Sequence, residues 1–497
     1  MEIIKNYIDG EWADAESGGT FDSINPADTR ETIAKVPNSG KTDVDRAVAA
    51  ARDAYPKWKA MPAPKRGEIL FRAAEALLRD KNKLGELVTR EMGKVLPEGL
   101  GDVQEAIDIG FYFAGEGRRL SGETVPSELP DKDCKSMRVP VGVFALVTPW
   151  NFPTAIPAWK IFPALIAGNT VVFKPSKFTP VCGSELVRRL SDAGLPKGVL
   201  NLVQGPGGEV GDYLVMHPGI DGVSFTGSSA VGTALAGKCS ALGKTVSCEM
   251  GGKNAIIVME DADLDLAVSG AIWGGFGTTG QRCTAASRVI VHEKAYKAFL
   301  DKFISAAKGL RLGNGLDPNV HVGPLVSDEQ LKKVQHYIQI GVSEGAKLTL
   351  GGQHCVLHGD LAHGYFMEPT IFTEVAPKIR IAQEEIFGPV VAVIKAKDYE
   401  DAIAIANGVQ YGLVASIYTS NANYSARAER DLETGIVYIN ASTIGAEIQL
   451  PFGGEKKSGF GRKEAGGRGG ALDMFTRWKV IYRDFSGRLQ KAQINTE

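Results

Sequence analysis

The chain has 497 residues, which is too long for one hydrophobic core and suits two or three domains. Its 56 basic and 58 acidic side chains leave a formal net charge of −2, so composition gives no electrostatic case for binding nucleic acid or an anionic membrane. We therefore expect a small-molecule partner, no nucleic acid and no membrane.

The six cysteines are scattered without the spacing of a disulfide framework. In a chain of this length they indicate reduced thiols and a cytoplasmic location. The first residues lack a basic region followed by an apolar one, and no apolar run approaches membrane-spanning length. We expect a protein that is neither exported nor embedded in a membrane.

Residues 1–40 are predicted to form short strands and turns, with a turn at Asn25-Pro26-Ala27-Asp28. From Val44 to Leu120 apolar residues recur at helical spacing, and we expect these helices to cover one face of a sheet. Four apolar runs separated by helix-length segments then predict parallel strands buried on both faces, an architecture typical of nucleotide binding. The runs are 141–148, 170–173, 199–203 and 222–226.

A second set of strands is predicted near 288–292, 347–350, 390–394, 414–418 and 435–439. It repeats the alternation of strands and helix-length segments in the first set. The chain is therefore predicted to be α/β, with two Rossmann-like parallel-sheet domains and a cleft between them. The first domain would comprise residues 1–119 and 141–251, and the second residues 252–453.

Two segments fit neither domain. Residues 120–140 are polar and include Pro126 and Pro130, and the tail at 472–497 contains an isolated apolar strand around Trp478–Arg483. A protruding hairpin that meets a terminal strand would form a small β flap for oligomerisation, because unpaired edges seek partners. A flap that merely lies on the surface remains the alternative.

The segments around Glu249 and Cys283 hold a carboxylate and a thiol that can act as base and nucleophile if the chain folds both into one cleft. Small and polar flanks around Cys283 would let backbone approach a ligand and place an N–H near the thiol as an oxyanion donor. The alternative is a buried, inert thiol.

Polar residues also follow the predicted strands. Asn151 comes after the first run and Lys174 after the second, at the carboxyl ends where ligands of α/β proteins bind. Asn151 can donate to an oxyanion and Lys174 can reach ribose hydroxyls or phosphate, although a turn asparagine and a solvated lysine are the alternatives. The turn from Gly227 to Gly232 can offer free N–H groups to a pyrophosphate, but its spacing is not the usual dinucleotide fingerprint.

Together these motifs resemble the aldehyde dehydrogenase superfamily, in the family's order and over essentially the full chain. The motifs are Pro-Trp-Asn-Phe-Pro around Asn151, Lys174-Pro-Ser, Phe225-Thr-Gly-Ser, Glu249-Met-Gly-Gly-Lys, Gly-Gln-Arg-Cys283, Glu384-Glu-Ile-Phe-Gly-Pro and Pro451-Phe-Gly-Gly. The resemblance implies oxidation of an aldehyde to a carboxylic acid with NAD or NADP, and a homodimer or homotetramer.

The resemblance also implies residue roles. Cys283 would be the nucleophile and Glu249 the base, and Asn151 with the Cys283 N–H would form the oxyanion hole. Lys174 and Glu385 would hold ribose hydroxyls, and Phe387 would pack near the nicotinamide. The further residues expected at the cofactor are Trp150, Ser176, Lys177, Gly207, Gly211, Phe225, Thr226, Gly227, Ser228, Met250 and Gly251.

Lys177 departs from the family pattern. NAD-preferring members commonly have a glutamate there, which would repel the 2′-phosphate of NADP, whereas a lysine would attract it. We therefore expect NADP to be accepted at least as well as NAD.

Arg282 resembles the residue of relatives that oxidise semialdehydes with a distal carboxylate, which a guanidinium can pair with. An arginine satisfied by backbone carbonyls is the alternative. Residues 442–448 should form another wall of the aldehyde tunnel. Further substrate residues are expected to be Phe152, Trp159, Thr284 and Phe452.

Other activities stay open at this point. A cofactor-independent thiol esterase or hydrolase, a dehydrogenase of general aliphatic or aromatic aldehydes, and a non-enzymatic binding protein are the alternatives. His354, Cys355, His358 and His363 share one polar stretch, but their spacing matches no known metal motif, so no metal site is predicted.

Overall fold

The structure is a computed structural model that describes residues 2–491, without the side chains of Glu2 and Asp360. Residues 492–497 of the predicted flap therefore lie outside the described residues. The strands are β1 Glu2–Ile3, β2 Asn6–Ile8, β3 Glu11–Ala13, β4 Thr20–Asn25, β5 Asp28–Pro37, β6 Thr124–Val125, β7 Lys132–Pro140, β8 Val143–Val147, β9 Thr170–Lys174, β10 Leu200–Leu202, β11 Gly222–Thr226, β12 Thr245–Glu249, β13 Asn254–Val258, β14 Ala286–His292, β15 Lys347–Leu350, β16 Thr370–Thr373, β17 Val390–Ala396, β18 Tyr411–Gly412, β19 Val414–Tyr418, β20 Ile436–Ile439, β21 Glu455–Lys456, β22 Gly459–Phe460 and β23 Thr476–Asp484.

The helices connect these strands mostly as crossovers. They are α1 Lys41–Ala60, α2 Ala63–Arg79, α3 Lys81–Met92, α4 Leu96–Glu116, α5 Ala155–Ala167, α6 Pro180–Asp192, α7 Asp212–Met216, α8 Ser229–Ala241, α9 Leu264–Phe276, α10 Tyr296–Lys308, α11 Asp328–Ser343, α12 Arg380–Gln383, α13 Tyr399–Asn407, α14 Ala422–Asp431 and α15 Leu472–Phe475, with short helical turns at Gly207–Gly211, Gly277–Gly280, Gly359–His363 and Gly467–Ala471.

Two large sheets, each parallel in its centre, form the framework. The first has the order β22-β12-β11-β8-β9-β10-β2-β3, and the second has the order β15-β16-β17-β14-β13-β19-β20. Helical crossovers between parallel strands produce the α/β fold with two Rossmann-like units that the sequence predicts. Because β12 belongs to the first sheet and β13 to the second, the chain passes from one to the other at residues 250–253.

The helices between residues 41 and 116 cover both faces of the first sheet, so the expectation that they cover one face is wrong. Side chains alternate along β8: Val143 and Ala145 pack in one core with α1, whereas Phe144 and Leu146 pack in another with α2 to α5. Apolar periodicity shows that a helix has a buried face, but it does not show which side of the sheet receives it.

The predicted strands lie within about two residues of the observed ones, but six were missed: β12, β13, β16, β18, β21 and β22. β12 and β13 flank the Glu249 motif, where polar and glycine residues interrupt the apolar runs. β15 pairs antiparallel with β16 at the edge of the second sheet, whereas the other pairs of that sheet are parallel.

The flap is a three-stranded sheet of order β23-β7-β6. Strand β23 pairs antiparallel with β7 along its whole length, from Thr476 opposite Pro140 to Asp484 opposite Lys132. A smaller sheet, β1-β5-β4, contains the predicted turn between Asn25 and Asp28. Across residues 2–491, no helix combines the length and the apolar character needed to cross a membrane.

Candidate active site

The segment from Glu249 to Asn254 lies where the two sheets meet. Glu249 ends β12 of the first sheet, and Asn254 begins β13 of the second. The Asn254 amide donates to the carbonyl oxygens of Cys283 at 2.7 Å and Ala285 at 3.0 Å, and its own oxygen accepts the Val414 N–H at 3.1 Å. The loop that carries Cys283 is thereby fixed to the crossing point.

Two cavities meet at Cys283. We call them the inner cavity and the outer cavity, and both are lined by Ile156, Thr226, Met250 and Cys283. The other residues of the inner cavity are Glu105, Phe152, Ala155, Trp159, Glu249, Arg282, Thr284, Leu413, Ile444, Gly445, Ala446, Phe452 and Glu464. The other residues of the outer cavity are Pro149, Trp150, Asn151, Gly227, Ser228, Gly251, Gln330, Lys333, Glu385 and Phe387.

The thiol of Cys283 is a weak acid in this setting. Burial, together with the charges of Glu385 and Glu249, raises its pKa to about 12, and the Thr284 N–H opposes them. Among residues 2–491, no hydrogen-bond partner is found for the side chain of Asn151, which lines the outer cavity beside Cys283. A free amide next to a buried thiol can stabilise negative charge that develops on a carbonyl oxygen.

Glu249 lies in the wall of the inner cavity, and one of its oxygens accepts the Gly454 N–H at 3.0 Å. Burial raises its pKa well above the ordinary range, and the charge of Glu464 adds to the effect. A carboxyl with a raised pKa is a stronger base once it is ionised, so it suits proton abstraction from water.

Glu464 and Lys160 form a buried ion pair beside Glu249. The ammonium of Lys160 also donates to the Ser224 hydroxyl at 2.8 Å, and the Thr226 hydroxyl donates to Glu464 at 3.3 Å. Neither Lys160 nor Glu464 was predicted as a site residue. A signal for Lys160 existed, since it is a lone charge in α5, where every residue is buried.

The residues expected at the outer cavity divide into two groups. Trp150, Thr226, Gly227, Ser228, Met250, Gly251, Glu385 and Phe387 line it. The others do not line it. Lys177 lines a neighbouring cleft beside Phe178 and Ser327, and Phe225 packs beneath Gly227. Gly211 lies against the Lys174 side chain, since a Cβ added to this glycine would be 3.5 Å from it. Ser176 accepts the Phe178 N–H at 3.3 Å, and Gly207 begins the turn that Gly211 ends.

The polar groups at this end fit the nicotinamide dinucleotide that the sequence implies. Burial lowers the pKa of Lys174 to about 8, and its ammonium donates to the Pro175 carbonyl at 2.8 Å, which leaves two further donors. The Ser229 hydroxyl lies in the first turn of α8. Free donors at a helix N-terminus suit a pyrophosphate.

Phe387 and Glu385 are held by neighbouring elements. The Gln330 amide donates to the carbonyls of Ile386 at 3.1 Å and Phe387 at 2.7 Å, and Phe387 has a positive φ of 63°. Glu385 accepts the Gly252 N–H at 3.0 Å, and burial raises its pKa. Gln330 and Lys333 were not predicted, because α11 carries no motif that marks them.

The inner cavity has an aromatic wall and a charged wall. Trp159 and Phe452 meet edge to face, with ring centroids 4.8 Å apart. Two other lining residues have charged partners behind them. Arg282 pairs with Glu98 at 3.0 Å, and the ammonium of Lys94 lies 3.7 Å from the centre of the Phe152 ring. Both expected substrate residues of the nucleophile loop, Arg282 and Thr284, line this cavity.

Glu105 was not predicted, although it lines the inner cavity. Its carboxyl has no hydrogen-bond or ion-pair partner among the described residues, and burial raises its pKa to about 8. The sequence signal is the acidic face of α4, where Glu98, Asp102 and Glu105 follow one another at helical spacing.

The comparisons with known proteins agree with one another. The sequence model of the aldehyde dehydrogenase family matches residues 12–481. An alpha-ketoglutarate semialdehyde dehydrogenase of Haloferax volcanii is 45% identical over 482 residues, which are 97% of this chain and 99% of that protein. An alpha-ketoglutaric semialdehyde dehydrogenase of Bacillus subtilis is 43% identical over 477 residues, 96% of this chain and 97% of that one.

A solved structure is also similar over nearly the whole chain. Betaine aldehyde dehydrogenase of Staphylococcus aureus in complex with NAD+ aligns with a TM-score of 0.94 at 36% identity. The alignment covers 98% of this chain and 95% of that one.

Proposed function

Because this chain belongs to the aldehyde dehydrogenase family and oxidises an aldehyde to the carboxylic acid with NAD(P)+, we propose that its aldehyde is a semialdehyde with a distal carboxylate. The observation that carries the proposal is the identity of at least 43% to two semialdehyde dehydrogenases over nearly the full chain. A semialdehyde of 2-oxoglutarate or of succinate fits this class.

We propose that Cys283 attacks the aldehyde carbon as the thiolate, after its thiol proton has passed to solvent, from the wall that the two cavities share. The Asn151 amide and the Cys283 backbone N–H then donate to the oxyanion of the tetrahedral adduct. When it is bound, the nicotinamide supplies the two-electron acceptor that converts the adduct into a Cys283 thioester. The aldehyde reaches the thiol from the inner cavity, so the two reactants approach it from different sides.

Glu249 takes the proton of the water that hydrolyses the thioester, because water is a poor nucleophile at neutral pH. Its raised pKa and its position in the inner cavity support this role. The pair of Lys160 and Glu464 lies beside it and is hydrogen-bonded to the Ser224 and Thr226 hydroxyls.

We propose that Lys174 and Glu385 hold the ribose hydroxyls of the cofactor and that the first turn of α8 holds its pyrophosphate. We also propose that NADP is accepted at least as well as NAD. The support is Lys177, which is 44% exposed and whose contact with Glu329 is long, at 3.6 Å. An exposed pair of this kind is weak, so the ammonium can turn to a 2′-phosphate.

The distal carboxylate is proposed to bind at the Arg282 and Thr284 wall of the inner cavity. Arg282 already forms an ion pair with Glu98, so its positive charge is partly neutralised before a substrate binds. The loop of Ile444, Gly445 and Ala446 on the same cavity offers backbone N–H groups in addition. A carboxylate held by several partial donors is favoured over an uncharged group of the same size.

The proposal is tested by comparing a semialdehyde with an uncharged aldehyde of equal length. The semialdehyde should have a kcat/KM at least about tenfold higher, the equivalent of one charge-assisted hydrogen bond. In the Thr284→Val variant this ratio should shrink while the kcat/KM for the uncharged aldehyde changes less. Equal kcat/KM values for the two aldehydes in the unmodified enzyme would contradict the proposal and favour a general aldehyde dehydrogenase.

We further propose a homodimer or homotetramer that works in the cytoplasm. The edge strand β23 exposes Trp478, Val480 and Tyr482 on one face of the flap, which supports assembly through this sheet. The six cysteines are all unpaired, which fits a reducing compartment.

A further inference from the structure

The loop before the nucleophile contains consecutive left-handed residues. Thr278, Thr279 and Gly280 have φ values of 51°, 57° and 67°. Glycine adopts this conformation freely, but a β-branched residue adopts it only at a cost. Both threonines are buried, with 2% and 1% of their surface exposed. A conformation of this kind persists only where the surrounding structure fixes it.

Glu98, in the first turn of α4, contacts this loop directly. One of its carboxylate oxygens accepts the Thr278 N–H at 2.7 Å and the Arg282 guanidinium at 3.0 Å. Arg282 in turn donates to the Thr278 hydroxyl at 2.7 Å. These three bonds close a ring around the left-handed turn, and the Glu98 side chain is only 3% exposed.

The rest of the loop is fixed to the second domain. The Thr279 hydroxyl donates to the Gly323 carbonyl at 2.9 Å, and the Gln281 side chain accepts the Val326 N–H at 3.0 Å. The loop is therefore held from two sides. Glu98 holds it from the helices that pack on the first sheet, and the bonds to Gly323 and Val326 hold it from the second domain. The carboxylate is not among the residues that line the inner or the outer cavity in the described chain.

We propose that Glu98 is a positioning residue for Cys283: it holds Thr278 and Thr279 in the left-handed conformation and so keeps the thiol in the wall between the two cavities. The proposal rests on the proposed role of Cys283 as the nucleophile. Without the carboxylate, the Thr278 N–H and the Arg282 guanidinium lose their shared acceptor, and the threonines are free to relax to ordinary backbone angles. A thiol displaced by about 1 Å reacts far more slowly, although the cavities keep their shape.

The direct test is the rate at which iodoacetamide alkylates Cys283, followed by mass spectrometry of its peptide, together with kcat and KM. This reaction needs no aldehyde, so it separates the positioning of the thiol from the proposed substrate. Glu98→Ala should slow alkylation and lower kcat by about tenfold to a hundredfold, with KM changed by less than about threefold. Glu98→Gln keeps an acceptor oxygen for Thr278 and should slow alkylation by only about threefold.

Adding Thr278→Gly distinguishes positioning from a general loss of stability. Glycine removes the cost of the left-handed angle, so it should restore most of the alkylation rate in the Glu98→Ala enzyme, or in Glu98→Gln where the alanine variant does not fold. The matched control is Glu91→Ala, which removes another buried carboxylate that accepts backbone N–H groups, those of Val181 and Cys182, but accepts none from the loop. It should lower Tm without slowing alkylation. An alkylation rate that is unchanged in both Glu98 variants, or that Thr278→Gly does not raise, would overturn the proposal.

Discussion

Glu249 and Cys283 line the same cavity although their chain segments belong to different sheets. Glu249 ends a strand of the first sheet, and Cys283 lies in the loop that leads into a strand of the second. The site therefore forms only when the two α/β units dock, and neither unit contains it alone. This arrangement places the thiol in a wall that two separate cavities share.

Removing one member of the Lys160–Glu464 ion pair should destabilise the fold, whereas replacing both members by apolar residues should change the stability much less. Lys160→Met leaves a buried carboxylate without its partner, so we expect a loss of about 3 kcal/mol, seen as a lower Tm by calorimetry. The double variant Lys160→Met/Glu464→Met should recover most of that loss. Lys197→Met, which breaks the exposed contact with Glu11, is the control and should change Tm little. A Tm for Lys160→Met equal to that of the unmodified protein would contradict the role of the pair.

Lys177→Glu should change the choice of cofactor. Replacing an attraction for the 2′-phosphate by a repulsion should lower kcat/KM for NADP by about tenfold to a hundredfold and leave the value for NAD within about threefold. Initial rates with each cofactor provide the measurement. Lys197→Glu makes the same change of charge at an exposed site and should leave both values unchanged. An unaltered ratio in Lys177→Glu would mean that this lysine does not contact the cofactor.

Lys253 should make the stability depend on pH. Burial lowers its pKa from 10.5 to about 7, with the charge of Arg288 as the next cause, and its ammonium has no hydrogen-bond partner in the described residues. Between these two values the unfolded chain binds a proton that the folded chain does not, so stability rises with pH across that window and is lowest below it.

The comparison with Lys253→Met isolates this effect. The Tm of the unmodified protein minus the Tm of the variant should increase as pH rises from about 7 towards 10. Lys297→Met, which removes an exposed lysine, should give a difference that does not vary with pH. If the Tm difference for Lys253→Met is also independent of pH, the Lys253 amine is not neutral in the folded protein.

Val480→Glu should weaken the assembly of subunits. Val480 is 57% exposed on the edge strand of the flap, between the exposed Trp478 and Tyr482. A charge on this apolar stripe should shift the mass measured by light scattering after gel filtration towards the monomer at low protein concentration. Val342→Glu is the matched control, because Val342 is a similarly exposed valine at the end of a helix. An unchanged mass for Val480→Glu would place the interface elsewhere.

Much of the framework could be predicted from the sequence because buried parallel strands are continuous apolar runs, and β11 and β19 have the predicted bounds. Motifs in the sequence marked Cys283, Glu249 and Asn151, and the structure brings these residues into the walls of the two cavities. Lys160 left a sequence signal as the lone charge of an apolar helix, whereas Glu464, Gln330 and Glu98 were not predictable, because each makes its contact with a distant segment. Glu98 and Thr278, for example, are joined by one hydrogen bond across 180 residues.

The strands next to the Glu249 motif show the same limit. Thr245–Glu249 is a strand because its backbone pairs with β11, and not because of a strong local pattern. Asn254–Val258 pairs with β14 and β19 and does contain a short apolar run, Ala255 to Val258, next to the polar and glycine residues of the motif. Similarly, the side of the sheet to which α1 packs is decided by tertiary contacts that periodicity does not contain.

The most direct test of the central claim uses the Glu249→Gln enzyme, mixed with aldehyde and NAD(P)+ and quenched in acid within the first turnover. We predict a burst of about one equivalent of reduced cofactor, slow steady-state turnover, and an acyl group on Cys283 in the mass spectrum, whereas Cys283→Ser should give neither burst nor adduct. Steady-state turnover in Glu249→Gln equal to that of the unmodified enzyme, or an acyl group on any residue other than Cys283, would contradict the account.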